Sequence, residues 1–378
     1  MKFYNGLKLG ILGGGQLGRM LLTPCRDFNV HTSILDNDLN APCNNIANSF
    51  TKGDITNYED VYRFGKSVDV LTIEIENVNV DALEQLEKEG KQVYPQPRVI
   101  KTIKDKRIQK QFFKDHQIPT ADFILTDSKK DVEKHIDFLP AFHKIGTGGY
   151  DGGGVKRIND KGDIHKAFDG PSLLEKLVDF EKEISVIVAR NTKGEIKVFP
   201  IVELVFHPEF NLVDYLISPA NISSNIEQQA LKIAKDVIHA FDMVGILAVE
   251  MFVTKDGKVL VNEVAPRPHN SGHQSIHANQ TSQFEQHLRA ILSLPLGNTD
   301  STISAAMVNL IGEANYEGET IYKGIEEVLA IDGVQLILYG KKFTKPHRKM
   351  AHITITDSDR NQLLEKIKFV KDTIKIIA

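Results

Sequence analysis

The sequence predicts an α/β unit followed by a mixed α+β body and a small β-rich end. Three observations carry this expectation. Strand-like and helix-like stretches alternate over residues 1–98; apolar alternation dominates 141–264 with one helical interruption; and three strand-like runs with a terminal helix fill 298–378. At 378 residues the chain exceeds one ordinary domain, since a prior of about 150 residues per domain suggests two or three. The expected boundaries are 1–98, 99–297 and 298–378.

Each element has a local reason. Lys8–Leu12 is an apolar strand ending at Gly13-Gly14-Gly15, and a helix should open at Gln16. A second strand runs from about Val30 to Leu35 and closes at Asp36. Val68–Ile75 reads as a further strand, and Asn79 suits the N-cap of a helix that stops at Gly90. Strands separated by helices imply a parallel sheet with right-handed crossovers. Tyr94-Pro95-Gln96-Pro97 reads as a linker, because prolines at that spacing interrupt either element. Val99–His116 follows as one basic helix. Later helices are expected over Ile226–Phe241 and Gln283–Leu294, the latter opened by Ser282 with Glu285 at capping-box spacing. Strands are expected near Ala306–Ile311, Val334–Tyr339 and Met350–Thr356, with a helix of about fifteen residues after them.

Composition narrows the function classes. Apolar residues make up 41% of the chain, enough for a core, and the 25% charged fraction is that of an ordinary soluble protein. Forty-six Lys and Arg against 50 Asp and Glu leave a net charge of −4, with no basic excess for nucleic acid. No run of about 18 apolar residues could span a membrane. Cys25 and Cys43, the only cysteines, read as reduced thiols in a cytoplasmic protein.

Four motifs carry chemistry. Gly13-Gly14-Gly15-Gln16-Leu17-Gly18 fits G-x-G-x-x-G with an acid at Asp36; it can hold a dinucleotide, another phosphate, or nothing beyond a tight strand–helix turn. Gly146–Gly154 has six glycines in nine residues between two strands and is not a Walker A loop. Such a hairpin can lie over a polyphosphate, with Lys144 on the entering strand reaching its oxygens. Asp256-Gly257 reads as a two-residue type I′ turn, pairing Lys255 with Lys258, Phe252 with Val261 and Glu250 with Glu263. Facing glutamates destabilise a ladder unless a cation sits between them, and Mg²⁺ held by carboxylates and phosphates suits the pattern, with Mn²⁺ an alternative. Directly after, Arg267, His269, Asn270 and Ser271 crowd a proline-broken loop suited to anion and substrate recognition, Arg267 being expected as an unpaired guanidinium. Glu74 and Glu76, at a strand's carboxyl end, either line a ligand crevice or form a plain edge pair. Lys341, Arg348 and Lys349 form a basic patch that either holds a phosphate or faces water.

These residues resemble the ATP-grasp superfamily, and within it the N5-carboxyaminoimidazole ribonucleotide synthetase family. The resemblance rests on Gly13–Met20, Gly148–Gly154, Val261–His273, Ser282–Arg289 and Arg348–His352, and covers nearly the whole chain. It implies an ATP-grasp fold with an N-terminal Rossmann-like pre-ATP-grasp domain, a central domain with a glycine lid over roughly 118–172, and a small β-rich C-terminal domain. It further implies ATP with Mg²⁺ and no biotin, and carboxylation of 5-aminoimidazole ribonucleotide by bicarbonate through carboxyphosphate. The same resemblance implies a homodimer with no nucleic-acid or membrane partner.

By motif match, Lys106, Lys144, Gly149, Tyr150, Asp151, Gly152, Gly153 and Gly154 would contact phosphates. Glu175, Lys176, Leu177 and Val178 would hold adenine, Glu183 the ribose, and His207 the nucleotide side. Asn262 and Glu263 would contact ATP, and Glu250 with Glu263 would hold the metal. Arg267 and Lys144 would act in catalysis. Gln16, Glu76, Tyr150, Asp151, Arg267, His269, Asn270, Ser271, Lys341 and Arg348 would form the substrate pocket. Gly153 departs from the family loop, which carries Lys or Arg there. Another ATP-grasp ligase, such as the formate-dependent glycinamide ribonucleotide transformylase, is the nearest alternative reading. An NAD-dependent dehydrogenase using Gly13–Gly18 and a non-catalytic nucleotide sensor are more distant ones.

Overall fold

A computed structural model describes residues 3–149, 153–209 and 212–378. Its N-terminal sheet is parallel, in the order Ser49–Lys52, His31–Asp36, Lys8–Leu12, Val70–Ile73, Gln92–Val93. The helix Gln16–Asp27 opens where the glycines end, and the Asn79 side chain accepts from the Ala82 amide at 2.9 Å to start Val80–Lys88. The strand expected over Val68–Ile75 is shorter, Val70–Ile73, so Glu74 and Glu76 emerge from its carboxyl end. The strand Ser49–Lys52 and the helix Tyr58–Lys66 escaped the sequence reading, the strand being short and half exposed.

Two expectations in the connection to the body need correction. Pro97 does not extend a linker but opens a helix, Pro97–Lys104, because its fixed φ and missing N–H suit the first helical position. The single helix expected over Val99–His116 is two. Asp105 is extended (φ −109°, ψ 112°), ends the first, and caps the second, Lys106–Asp115, by accepting from the Arg107 amide at 2.8 Å.

Two antiparallel sheets follow. The smaller has the order Phe123–Thr126, Ser172–Lys176, Ala141–Ile145, Val155–Ile158. The larger has nine strands and runs from Val259–Ala265 through Gly245–Thr254, Phe180–Arg190, Val202–Phe206 and Val213–Ser218 to Ala305–Ile311, Lys349–Thr356 and Val334–Leu338. The C-terminal strands therefore continue the central sheet. The helix Ser224–Ala240 covers one face of the sheet, burying Ile233, Val237 and Ile238 against Ile184, Val186 and Leu247.

The helix Gln283–Ile291 joins the units. Ser282 caps it by accepting from the Glu285 amide at 3.1 Å, while the Glu285 carboxylate turns to Arg289 instead of reaching back. Phe284, Leu288 and Ile291 share a core with Leu9, Ile11, Met20 and Leu21 of the N-terminal unit. Leu288→Ala should therefore cost about 2–5 kcal/mol. A denaturant midpoint unchanged from wild type would show that this core does not bind the units together.

Candidate active site

The hairpin that carries the paired glutamates is built differently from the expected one, yet it brings them together. Thr254 and Lys258 close a three-residue loop, the Thr254 amide donating to the Lys258 carbonyl at 2.9 Å and Gly257 taking φ +77°. That is a turn with a bulge, for which glycine is favoured at the left-handed position. The ladder is thereby shifted: Phe252 pairs with Leu260 and Met251 with Val261, not Phe252 with Val261. A second bulge between Glu250 and Met251 then absorbs one residue at Asn262 and restores Glu250 opposite Glu263. Both Asn262 and Glu263 consequently line the same cleft as Glu250 and Phe252.

This cleft, about 1120 Å³, lies between the two antiparallel sheets and reaches the glycine turn of the first unit. Burial pushes Glu250 up to about 8, with Glu263 adding to the effect. Burial, again followed by Glu263, pushes Glu183 up to about 7. A carboxyl such as Glu250 that resists ionisation while facing another carboxylate fits a cation between the two. Among the described residues no group of three His, Cys, Asp or Glu side chains converges on a metal position, so phosphates or water would complete the shell of such a cation. Lys106 approaches Glu263 at 4.0 Å.

The loop after the hairpin is held from the Gln283–Ile291 helix. Buried Gln283 accepts from the His269 amide at 2.8 Å and donates to the His269 carbonyl at 2.7 Å. His269 Nδ1 accepts from the Ser271 amide at 3.3 Å, and burial, with Arg267 and Lys349 nearby, lowers the ring to about 3. The ring is therefore neutral, with its proton on Nε2, 3.7 Å from Glu250. Asn270 lines the cleft and exchanges amide hydrogen bonds with Asn309 at 2.8 and 2.9 Å. Ser271 does not line it; its hydroxyl bonds Ser185 and His269 and so orients the imidazole. Arg267 is not unpaired as expected. It meets Glu76 at 2.9 Å, since a buried guanidinium needs a counter-ion.

The glycine turn of the first unit is already filled. Asp36 accepts from the Gly14 amide at 2.6 Å, and Glu74 accepts from the Leu17 amide at 3.1 Å. A carboxylate of the chain itself thus takes the helix N-terminus that a dinucleotide phosphate would need, which argues against the dehydrogenase reading. Gln16, Glu76, Lys341 and Arg348 do line the cleft.

On the lid side, Phe142, Lys144, Gly149, Glu175, Lys176, Val178 and Glu183 line the cleft. Leu177 and His207 do not, and neither do Gly153 and Gly154. The neighbouring Phe206 and Leu212 face inward in place of His207, whose Nδ1 accepts from the Glu209 amide at 3.2 Å. Glu175 is more than a backbone contact: its carboxylate meets Lys144 at 2.5 Å and Lys110 at 2.6 Å. Tyr150, Asp151 and Gly152 lie outside the described residues. The glycine run also has a packing cause, because a Cβ on Gly149 would fall 2.3 Å from Gly154 Cα where the hairpin narrows.

Sequence reasoning missed Lys110 and placed Lys349 only in a patch, although both line the cleft. Lys110 sits one helical turn after Lys106, and that spacing was the available signal.

Glu74 supplies a test. Burial raises it from 4.5 to about 7, against the opposing pull of Arg267 and the Leu17 amide. Its contribution to stability is full below about pH 4.5 and is lost as pH rises through 7. Glu74→Gln keeps an acceptor for Leu17 and cannot titrate, so its melting temperature should fall less between pH 5 and 8 than that of the wild type. Parallel curves would contradict the assignment.

Known proteins are similar to this chain over most of its length. The chain matches the ribonucleotide synthetase preATP-grasp domain over residues 7–104, the ATP-grasp domain over 111–284 and the phosphoribosylaminoimidazole carboxylase C-terminal domain over 305–366. It is 34% identical to the N5-carboxyaminoimidazole ribonucleotide synthase of Bacillus subtilis, covering 96% of this chain and 95% of that one. It is 36% identical to the phosphoribosylaminoimidazole carboxylase of Candida glabrata, covering 96% of this chain but spanning only 65% of that longer protein. The crystal structure of N5-carboxyaminoimidazole ribonucleotide synthetase from Thermotoga maritima superposes with a TM-score of 0.91 at 40% identity, covering 98% of this chain and 99% of that one. With its three domain matches and its relatives similar over nearly the whole chain, the chain belongs to the N5-carboxyaminoimidazole ribonucleotide synthetase family of ATP-grasp ligases.

Proposed function

We propose that the protein uses ATP to carboxylate 5-aminoimidazole ribonucleotide with bicarbonate, giving N5-carboxyaminoimidazole ribonucleotide, ADP and phosphate in purine biosynthesis. The observation that carries this reading is the single cleft that joins the paired glutamates, the lid lysine and the Arg267–Asn270 loop. Bicarbonate oxygen attacks the γ-phosphorus of ATP, and ADP leaves, forming carboxyphosphate. The exocyclic amine of the ribonucleotide then attacks the carboxyl carbon, or the CO₂ released from it; phosphate departs and the amine loses a proton.

Residue roles follow from position and charge. Lys144 and Lys106 neutralise phosphate oxygens beside the glycine hairpin. The strand end Lys176–Val178 borders the adenine, the side of Val178 being apolar and Glu183 lying nearer the ribose. Glu250 and Glu263 would hold Mg²⁺, which when bound supplies charge neutralisation to the transferring phosphoryl group. His269, neutral and presenting Nε2–H, donates to an anionic oxygen of bicarbonate or carboxyphosphate, and Asn270 and Arg267 border the same position. Gln16, Glu76, Lys341 and Arg348 surround the ribonucleotide, the two cations suiting its phosphate. Closure of the 118–172 lid over the cleft would keep water from the anhydride.

A homodimer, a cytoplasmic location and the boundaries at 98 and 297 belong to the same reading. Cys25 and Cys43 are buried free thiols, compatible with a reducing compartment. Among the described residues no helix is long and apolar enough to cross a membrane.

ADP release should require bicarbonate and rise when the aminoimidazole ribonucleotide is added; release unaffected by omitting either one would refute the assignment. Glu263→Gln keeps the shape of the site and removes a charge. Its turnover should fall at least about a hundredfold, in line with the loss of one electrostatic contact in a phosphoryl-transfer site. Near-normal turnover with unchanged magnesium dependence would remove the glutamate pair from the reaction.

A further inference from the structure

Three charges are buried together where the lid sheet meets the Lys106–Asp115 helix. Glu175, 3% exposed, places one carboxylate oxygen 2.5 Å from Lys144 and the other 2.6 Å from Lys110, itself 3% exposed. The two lysines differ in their freedom. Lys144 lies on a lid strand facing the cleft, and Glu175 is the partner it reaches there. Lys110 is fixed on two sides: its ammonium also donates to the Thr120 hydroxyl at 2.5 Å, and that hydroxyl donates to the Val261 carbonyl at 2.7 Å. The Val261 amide in turn donates to the Pro119 carbonyl at 2.8 Å. Lys110 is thus tied to the strand that carries Asn262 and Glu263.

A buried carboxylate tolerates two cations but not none, because removing one partner of a buried pair leaves an uncompensated charge. Burial alone would raise Glu175, yet the two ammonium groups outweigh it and hold the carboxyl below its ordinary range. When Lys144 turns to an anionic ligand, Glu175 stays ionised only if a second cation remains. We propose that Lys110 is a positioning residue for nucleotide binding: its fixed charge holds Glu175, and this lets Lys144 pass from Glu175 to the phosphates of a nucleotide. The inference rests on the nucleotide reading of the cleft and adds a residue outside the phosphate contacts. Without Lys110, Lys144 would stay locked on Glu175 in a one-to-one pair.

The test is equilibrium binding of ADP with magnesium to the full chain, measured by calorimetry for wild type, Lys110→Met, Lys110→Arg, Glu175→Gln and the Lys110→Met/Glu175→Gln double variant. Lys110→Met should bind ADP at least about tenfold more weakly, because Lys144 then stays on Glu175 instead of turning to the phosphates. Lys110→Arg should stay near wild type, because the charge is kept. The double variant should bind more tightly than Lys110→Met, since removing the carboxylate frees Lys144. Wild-type affinity in Lys110→Met would overturn the proposal, as would a double variant no tighter than Lys110→Met. If Lys110→Met does not fold, the double variant is compared with Glu175→Gln; equal affinities support the proposal, and a further tenfold loss in the double variant contradicts it. A wild-type protein that binds no ADP would instead strike the nucleotide reading itself.

Discussion

Everything in the cleft depends on two carboxylates held face to face across one hairpin. The Gly257 loop alone would put the hairpin one residue out of register; the bulge at Asn262 corrects it. The chain thus spends two irregularities to place Glu250 opposite Glu263 on a face otherwise lined by Phe252. An arrangement so unfavourable by itself, with Glu250 raised to about 8, makes physical sense as a site completed by a cation and phosphates. The same bulge turns both Asn262 and Glu263 inward.

Around that pair the charges are matched rather than massed. Glu76 accompanies Arg267 and Glu175 accompanies Lys144, while Lys106 stands near Glu263. These three cations, each suited to an incoming anion, therefore already have a carboxylate beside them. Binding then exchanges one partner for another instead of dehydrating bare charges, which is the costlier step in a buried site. The Gln283–Ile291 helix serves both roles of support: its apolar face joins the first unit to the body, and Gln283 fixes the loop that carries His269.

The sequence was most readable where period and chemistry coincide. The parallel alternation of the first unit and the Asn79 and Ser282 caps followed from local rules, whereas the opposition of Glu250 and Glu263 is reached through a longer loop and a bulge that a two-residue turn does not foresee. What escaped has physical causes. Asp105 was hidden inside an unbroken basic pattern, because a residue that both ends and starts helices leaves little periodic trace. Pro97 was read as a breaker when its position made it an opener. The pairings Arg267–Glu76 and Lys110–Glu175 join residues far apart in sequence, and no local pattern encodes them. The inward-facing Lys349 was visible only as one member of a basic patch. The glycine run, which suits a hairpin lying over a polyphosphate, also reflects the close approach of Gly149 to Gly154.

The central claim is that the bulged hairpin exists to hold a divalent cation between Glu250 and Glu263 against a nucleotide. Anomalous diffraction from crystals grown with Mn²⁺ and ADP tests it most directly. A manganese peak should bridge the two carboxylates and the phosphates. Bound ADP with manganese elsewhere, or with the two glutamates turned away from it, would contradict the account.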